Sequence, residues 1–246
     1  MALLLTMAGS GASASGLSVV PTQLDFAADD SVQALHLRNT GNTIINAQLR
    51  VFSWSQNNGE DSLVPSTDLI VSPPIMRVVP GQQQLVRVVH TASTPPRTSP
   101  HELSYRLIVD ELPPAEIAGS SAPRSGLNFV LRYSIPVFVA AATPVVSAPA
   151  TLALESGTAD TYALSVLNPT PRHLQLADLR LLDKNDREIF GKPGLIGYVL
   201  PGSNRSWPLA IQSKEAPTSA VEVQVRINGK IVRNLLSEMP MEWSAP

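Results

Sequence analysis

From Leu127 to Val139 the chain reads LNFVLRYSIPVFV, with a large apolar residue at every second position: Leu127, Phe129, Leu131, Tyr133, Ile135, Val137 and Val139. A period of two predicts a β-strand with one apolar face. At about 3.3 Å per residue the stretch would reach roughly 43 Å, about twice an ordinary strand. Asn128, Val130, Arg132 and Ser134 give the opposite face a mixed character. A long apolar strand at a sheet edge invites aggregation, and only Arg132 interrupts this one with charge. Two readings stay open. Either the strand is internal to its own sandwich, or part of it is offered to another chain. Four large side chains in an acceptor groove would gain roughly 1.5–3 kcal/mol each, about 6–12 kcal/mol together before ordering costs. That is enough to hold a partner by strand addition.

The rest of the chain is written in the same idiom. Pro (22) outnumbers Gly (14), and no long helical period occurs, so turns marked by Pro join short strands. The readable strands before the long one are Leu17–Val20, continued by Gln23–Phe26 after a kink at Pro21, then Val32–Leu37, Ile44–Trp54, Met76–Val79, Leu85–Val89 and Leu103–Leu112. Asn57 to Asp61 reads as a loop, and so do Thr91–Pro100 and Ala115–Gly126. The bond before Pro73 is a candidate for cis geometry.

Ala140 to Pro144 reads as a linker, after which short strands resume at Val145–Leu154, Thr161–Leu167, Leu174–Leu182, Arg187–Phe190, Ile196–Leu200, Ser206–Ile211, Val221–Ile227 and Lys230–Leu235. Asn228-Gly229 predicts a type I′ hairpin. The halves echo one another. Leu35 to Thr40 resembles Leu164 to Pro169, and Val78-Val79-Pro80-Gly81 resembles Val199-Leu200-Pro201-Gly202. The fold class is therefore all-β, as two immunoglobulin-like β-sandwich domains over residues 17–140 and 145–240. One large β-domain is the alternative. Two sandwiches would leave a cleft at the linker, a natural place to bind.

Residues 1–14 read as a signal-peptide-like segment: an apolar run from Ala2 to Ala8, then small residues and Ala12-Ser13-Ala14. A strand-like or unstructured tail is the alternative. No later apolar run is long enough to span a membrane. The net charge of −2 leaves no nucleic-acid footprint. Without Cys there is no disulfide, no Cys zinc site and no thiol nucleophile. His36, His90, His101 and His173 lack metal-ligand spacing, and neither a G-x-S-x-G elbow nor a phosphate loop occurs. Asp183 to Glu188 loosely evokes a calcium loop but lacks its Gly and distant Glu; a solvated hairpin tip fits better. No catalytic residue, cofactor or metal is expected, and the chain reads as a binding protein rather than an enzyme.

The motifs Leu37-Arg38-Asn39-Thr40-Gly41, Ser72-Pro73-Pro74, Arg77-Val78-Val79-Pro80-Gly81, Leu85-Val86-Arg87, Glu111-Leu112-Pro113-Pro114 and Leu131 to Phe138 occur in that order. Together they resemble a periplasmic pilus (fimbrial) assembly chaperone of the chaperone–usher pathway, in texture its archaic-type branch. The resemblance covers most of residues 17–140 and, in outline, 145–240. It implies two immunoglobulin-like domains in an L shape with an interdomain cleft. It implies pilin subunits and an outer-membrane usher as partners, with export to the periplasm. It also implies donor-strand complementation, with Leu127, Phe129, Leu131 and Tyr133 filling the subunit's groove while Ile135, Val137 and Val139 serve the chaperone's own core.

One departure concerns the subunit's C-terminal carboxylate. A well-known branch of that family anchors it with an Arg on the first strand and a Lys on the last, at positions matching Gln23 and Pro136 here. Neither can form an ion pair. Arg132 and Arg87 are the candidate anchors, since Arg can grip a carboxylate through two hydrogen bonds; Arg38 and Arg106 stand behind them. Two other classes compete with the chaperone reading: an exported two-domain structural or adhesive surface protein, and an exported hydrolase on a β scaffold, against which the missing catalytic cluster argues.

Overall fold

A computed structural model describes residues 16–91, 99–113, 130–142, 148–156, 162–209, 220–235 and 240–243. The first ten strands among the described residues are β1 (Leu17–Val20), β2 (Leu24–Phe26), β3 (Val32–Asn39), β4 (Ile45–Asn57), β5 (Glu60–Pro65), β6 (Leu69–Ser72), β7 (Ile75–Val78), β8 (Gln83–His90), β9 (Leu103–Leu112) and β10 (Arg132–Val139). One sheet runs β1-β3-β8-β6; the other runs β2-β10-β9-β4-β5, with β7 also on β4. Alternation decides what each buries. Leu35, Leu37, Val86 and Val88 of the first sheet meet Leu49, Leu107, Val109 and Val137 of the second in one core.

Prolines mark where the chain changes sheet. β1 pairs antiparallel with β3, whereas β2 pairs in parallel with β10. The expected kinked strand through Pro21 is thus two strands in different sheets, because Pro has no N–H to continue a ladder. Ser72-Pro73-Pro74 repeats the device: β6 pairs with β8 and β7 with β4. Both Val20–Pro21 and Ser72–Pro73 are cis. The expected loop at Asn57–Asp61 shrinks to a two-residue turn, with φ of 53° at Asn58 and 80° at Gly59, closed by the Asn57–Glu60 pair. Strand β5 escaped the sequence reading because its residues are almost all exposed and show no apolar alternation.

The remaining strands are β11 (Ala150–Ser156), β12 (Tyr162–Asn168), β13 (Leu174–Asp183), β14 (Glu188–Val199), β15 (Ser203–Leu209), β16 (Ala220–Ile227), β17 (Lys230–Leu235) and β18 (Met241–Trp243). They form the sheets β15-β12-β11-β18 and β14-β13-β16-β17. Leu152, Leu164 and Val166 face Leu176, Leu181, Val223 and Val225 in a core separate from the first. Two sandwich-like units, consistent with tandem immunoglobulin-like domains, therefore replace the single-domain alternative. The Asn228-Gly229 hairpin is present, with Ile227 pairing to Lys230. The two strands expected at Arg187–Phe190 and Ile196–Leu200 are instead one, β14. Register shifts against β13 and a φ of 78° at Gly194 carry it past Pro193, which is tolerated because β14 is an edge strand.

Candidate functional site

Within β10 the alternation works as elementary geometry requires. Ile135, Val137 and Val139 are fully buried in the first core. Leu131 and Tyr133 continue that face and pack, half-buried, against the core's end. The Tyr133 hydroxyl donates to the carbonyl of Leu17. Among the described residues the strand runs from Arg132, five residues after the expected start at Leu127; Leu127 and Phe129 lie outside the described residues.

The two edges of β10 differ. Along one, every residue from Arg132 to Val139 pairs with β9. Along the other, β2 pairs only with Val137, Phe138 and Val139. Among the described residues no strand pairs with Arg132–Pro136 on that side. Such an edge offers backbone donors and acceptors to an added strand. It runs up to Pro136, which has no N–H to give.

The opposite face of the same sheet carries charge. Arg132, Ser134 and Pro136 stand in register with Asp110, Ile108 and Arg106, and these with Gln48, Arg50 and Phe52. Asp110 accepts from Arg132 Nε at 2.5 Å and from Arg50 Nη2 at 2.6 Å. Burial pushes its carboxyl up, but the two guanidinium hydrogen bonds outweigh burial and hold it below the ordinary carboxylate value. Arg106, directly across from Pro136, lays its guanidinium 3.7 Å from the centroid of the Trp54 ring. Arg132 and Arg106 therefore share a face. Arg87 and Arg38 do not join them: both are exposed on the first sheet, Arg87 in register with Ala34 and Ser72.

Where that face meets the second sandwich, Trp54, Phe138, Tyr198 and Leu200 form a buried cluster. His173 stacks on Phe138, with centroids 3.5 Å apart and planes within 8°. Glu102, on the first sandwich, pairs through Oε1 with His173 Nδ1 at 2.7 Å and accepts from the His173 backbone N–H at 3.1 Å. The Gln56 amide bridges the sandwiches: Nε2 donates to the Tyr198 carbonyl at 3.0 Å, and Oε1 accepts from Leu200 N–H at 2.9 Å. Gln23 donates to both oxygens of Asp25 and shares a pocket with Arg172, His173 and Lys230.

Asp110, Glu102 and Gln56 were missed in the sequence. The alternation of Leu103–Leu112 puts Asp110 and Arg106 on one face, a legible signal. That Arg132 stands opposite Asp110 depends on register, which no local pattern states. Glu102 and Gln56 find their partners 71 and 142 to 144 residues away. Among the described residues no group of three or more His, Cys, Asp or Glu could hold a metal ion.

Residues 16–143 match the family described as "Pili and flagellar-assembly chaperone, PapD N-terminal domain". The chain is also similar to three solved structures. In the CsuC–CsuE chaperone–tip adhesion subunit pre-assembly complex, from archaic chaperone–usher Csu pili of Acinetobacter baumannii, the identity is 23%, with 88% of this chain and 97% of that chain covered and a TM-score of 0.63. For the Salmonella enterica SafA pilin in complex with the SafB chaperone the values are 19%, 92%, 99% and 0.61. For the E. coli chaperone DraB they are 19%, 90%, 97% and 0.55. No curated protein matches the chain.

Proposed function

The chain belongs to the pili and flagellar-assembly chaperone family, and on that premise we propose that it holds pilin subunits by donor-strand complementation in the periplasm and delivers them to an outer-membrane usher. It is a chaperone and not an enzyme. The observation that carries the mode of binding is the split edge of β10: β2 covers Val137–Val139 and leaves Arg132–Pro136 without a described partner strand on that side. Leu131, just before this stretch, and Tyr133, within it, lie half-buried on the face that the core residues continue. With Leu127 and Phe129 before them, they form a two-residue-period comb suited to the groove of a sandwich that lacks a strand. Two of the similar structures are complexes of a chaperone with an adhesin or pilin subunit, the partner class proposed here.

The domains are residues 17–140 and 145–240, in an L shape with the subunit's end in the cleft between them, behind an export segment at residues 1–14. Of the two candidate anchors, Arg132 is favoured over Arg87. It lies on the donor strand itself and on the face shared with Arg106 and Pro136, while Arg87 points out from the other sheet.

Leu131→Asp should leave a folded protein by circular dichroism and abolish co-purification with a co-expressed pilin subunit. Undiminished capture would sink the donor-strand assignment. Arg132→Ala should weaken capture; if only Arg87→Ala does so, the anchor lies on the other sheet.

A further inference from the structure

The contact between the sandwiches contains a side chain that imitates backbone. Gln56 sits near the end of β4, is 8% exposed, and uses both ends of its amide across the boundary. Its N–H goes to the carbonyl before Val199 and its C=O takes the N–H after it. A residue in a parallel ladder grips its neighbour by the same pair of bonds, one on each side of the opposing residue. The carboxamide is chemically a peptide group, so β4 is spliced to the end of β14 without a strand crossing over.

Both ends of the splice are stiff. The second N–H of Gln56 Nε2 goes to Asp61 Oδ1 at 2.9 Å. The same oxygen accepts Trp54 Nε1 at 3.0 Å and, from the second sandwich, Arg205 Nη1 at 2.8 Å. These bonds fix the amide's flip, because only the nitrogen end can face Asp61 and the Tyr198 carbonyl together. On the far side, Val199 and Leu200 lead into the Pro201-Gly202 turn, whose carbonyls at 199 and 200 are held by the buried Asn168 side chain. On the near side, β4 is paired along Asn46–Ser53 with β9, which pairs with β10.

We infer that Gln56 is a positioning residue: with Asp61 it sets the orientation of the second sandwich relative to the sheet that carries β10. The orientational claim stands on these contacts alone; its consequence for a captured subunit rests on the proposed function.

The test uses the full chain with one spin label on each sandwich. Gln56→Met conserves volume but removes all three hydrogen bonds. It should broaden the inter-sandwich distance distribution while the circular dichroism of both sandwiches is unchanged. A distribution as narrow as that of the parent protein overturns the inference. Should Gln56→Met fail to fold, Asp61→Ala at the exposed rim, which removes the oxygen that accepts from Gln56, Trp54 and Arg205, carries the same expectation, with the same overturning result. Gln56→Glu supplies a chemical signature. As a carboxylate it keeps an acceptor for Leu200 N–H but has no donor for the Tyr198 carbonyl and faces Asp61, so the distribution is broad at neutral pH. Once protonated it offers one O–H and one C=O, and the distribution narrows again. Broadening that ignores pH overturns the splice, since mere loss of packing would not reverse. With a pilin subunit, Gln56→Met should weaken capture about tenfold, the size expected for one or two neutral hydrogen bonds. Broadened distances with unaltered capture would overturn the consequence for the subunit and leave the orientational role standing. No capture by the parent protein would count against the chaperone reading instead.

Discussion

Asn39 and Asn168 occupy the same corner of the two sandwiches and make the same bonds there. Each donates through Nδ2 to the carbonyl four residues on, Thr43 at 2.7 Å and Arg172 at 2.8 Å. Each also donates to a valine carbonyl before the Pro-Gly turn, Val78 and Val199, both at 2.9 Å. Each accepts through Oδ1 from the N–H two residues on, at Gly41 and Thr170. The backbone carbonyl of each takes the N–H of the turn glycine, Gly81 or Gly202. Both side chains are fully buried. The echo in the sequence is thus one hydrogen-bonded corner used twice: a strand end clamped to a Pro-Gly turn by a single carboxamide.

Replacing Asn39 by Ala leaves the buried Val78 carbonyl without its donor, and replacing Asn168 does so for the buried carbonyls of Val199 and Leu200, at about 1–3 kcal/mol for each unsatisfied group. Asn39→Ala should lower the urea midpoint with an unchanged slope, by a loss of roughly 1–3 kcal/mol. Asn168→Ala should do the same and in addition release the Val199–Leu200 segment that Gln56 holds. Asp at either site should be worse than Ala, because a carboxylate would face carbonyl oxygens that need donors.

The two halves of the long apolar stretch should separate in a stability assay. Ile135→Ala empties space in a filled core and should cost about 2–4 kcal/mol in denaturant unfolding. Leu131→Ala lies at the half-buried end of that core and should cost less than about 1.5 kcal/mol. If the proposed function is correct, subunit capture ranks them in reverse, with Leu131→Ala the more damaging. Equal losses of stability would place Leu131 wholly in the chaperone's own core.

Asp110 gives the fold an acid-sensitive element. Burial works against its charge, the Arg132 and Arg50 hydrogen bonds favour it, and the net result is a carboxyl held below its ordinary 3.8. A group with a depressed folded-state value contributes stability that is present above the unfolded value and is lost as pH falls through the folded one. The parent protein should therefore lose stability as pH drops below about 4, and Asp110→Asn should flatten that part of the profile. At neutral pH Asp110→Asn should be the less stable of the two, since Arg50 and Arg132 lose their shared counter-charge. Urea midpoints from pH 3 to 7 would check both expectations.

Much of this was legible before the structure. Leu103–Leu112 is β9 to the residue, because its core-facing residues, Leu103, Tyr105, Leu107 and Val109, recur at every second position. The Asn228-Gly229 hairpin was legible because a type I′ turn asks for those residues. What the sequence hid is of two kinds. Strand β5 buries too little for alternation to show, and β6 and β18, of four and three residues, are too short to show it. The prolines at 21 and 73 announce a break, but not that the chain crosses to the other sheet. In the candidate site, the apolar comb and the unusual Gln23 and Pro136 could be read from position alone. The Arg132–Asp110–Arg50 bridge needs the register of three strands, and the Gln56 and Glu102 bonds need the docking of two sandwiches. Neither is a local property.

Glu102 supplies the last test, because its carboxylate is buried at the boundary with its partners on the other sandwich. Its side chain is 3% exposed; one oxygen serves both the ring and the backbone N–H of His173, and Arg172 lies 4.0 Å from the other. Removing one member of a buried pair leaves the rest desolvated and unpaired, at roughly 3–5 kcal/mol. Glu102→Ala should therefore cost more than loss of packing alone, and the cost should fall on the contact between sandwiches rather than on either core. Calorimetry should show the unfolding of the two sandwiches becoming less cooperative, with the transitions drawing apart. Glu102→Gln keeps an acceptor for the His173 N–H and should retain a larger share of the coupling. If Glu102→Ala instead lowers a single transition without splitting it, the pair stabilises the first sandwich alone and the coupling between the two runs through Gln56 and the Trp54–Tyr198 contact.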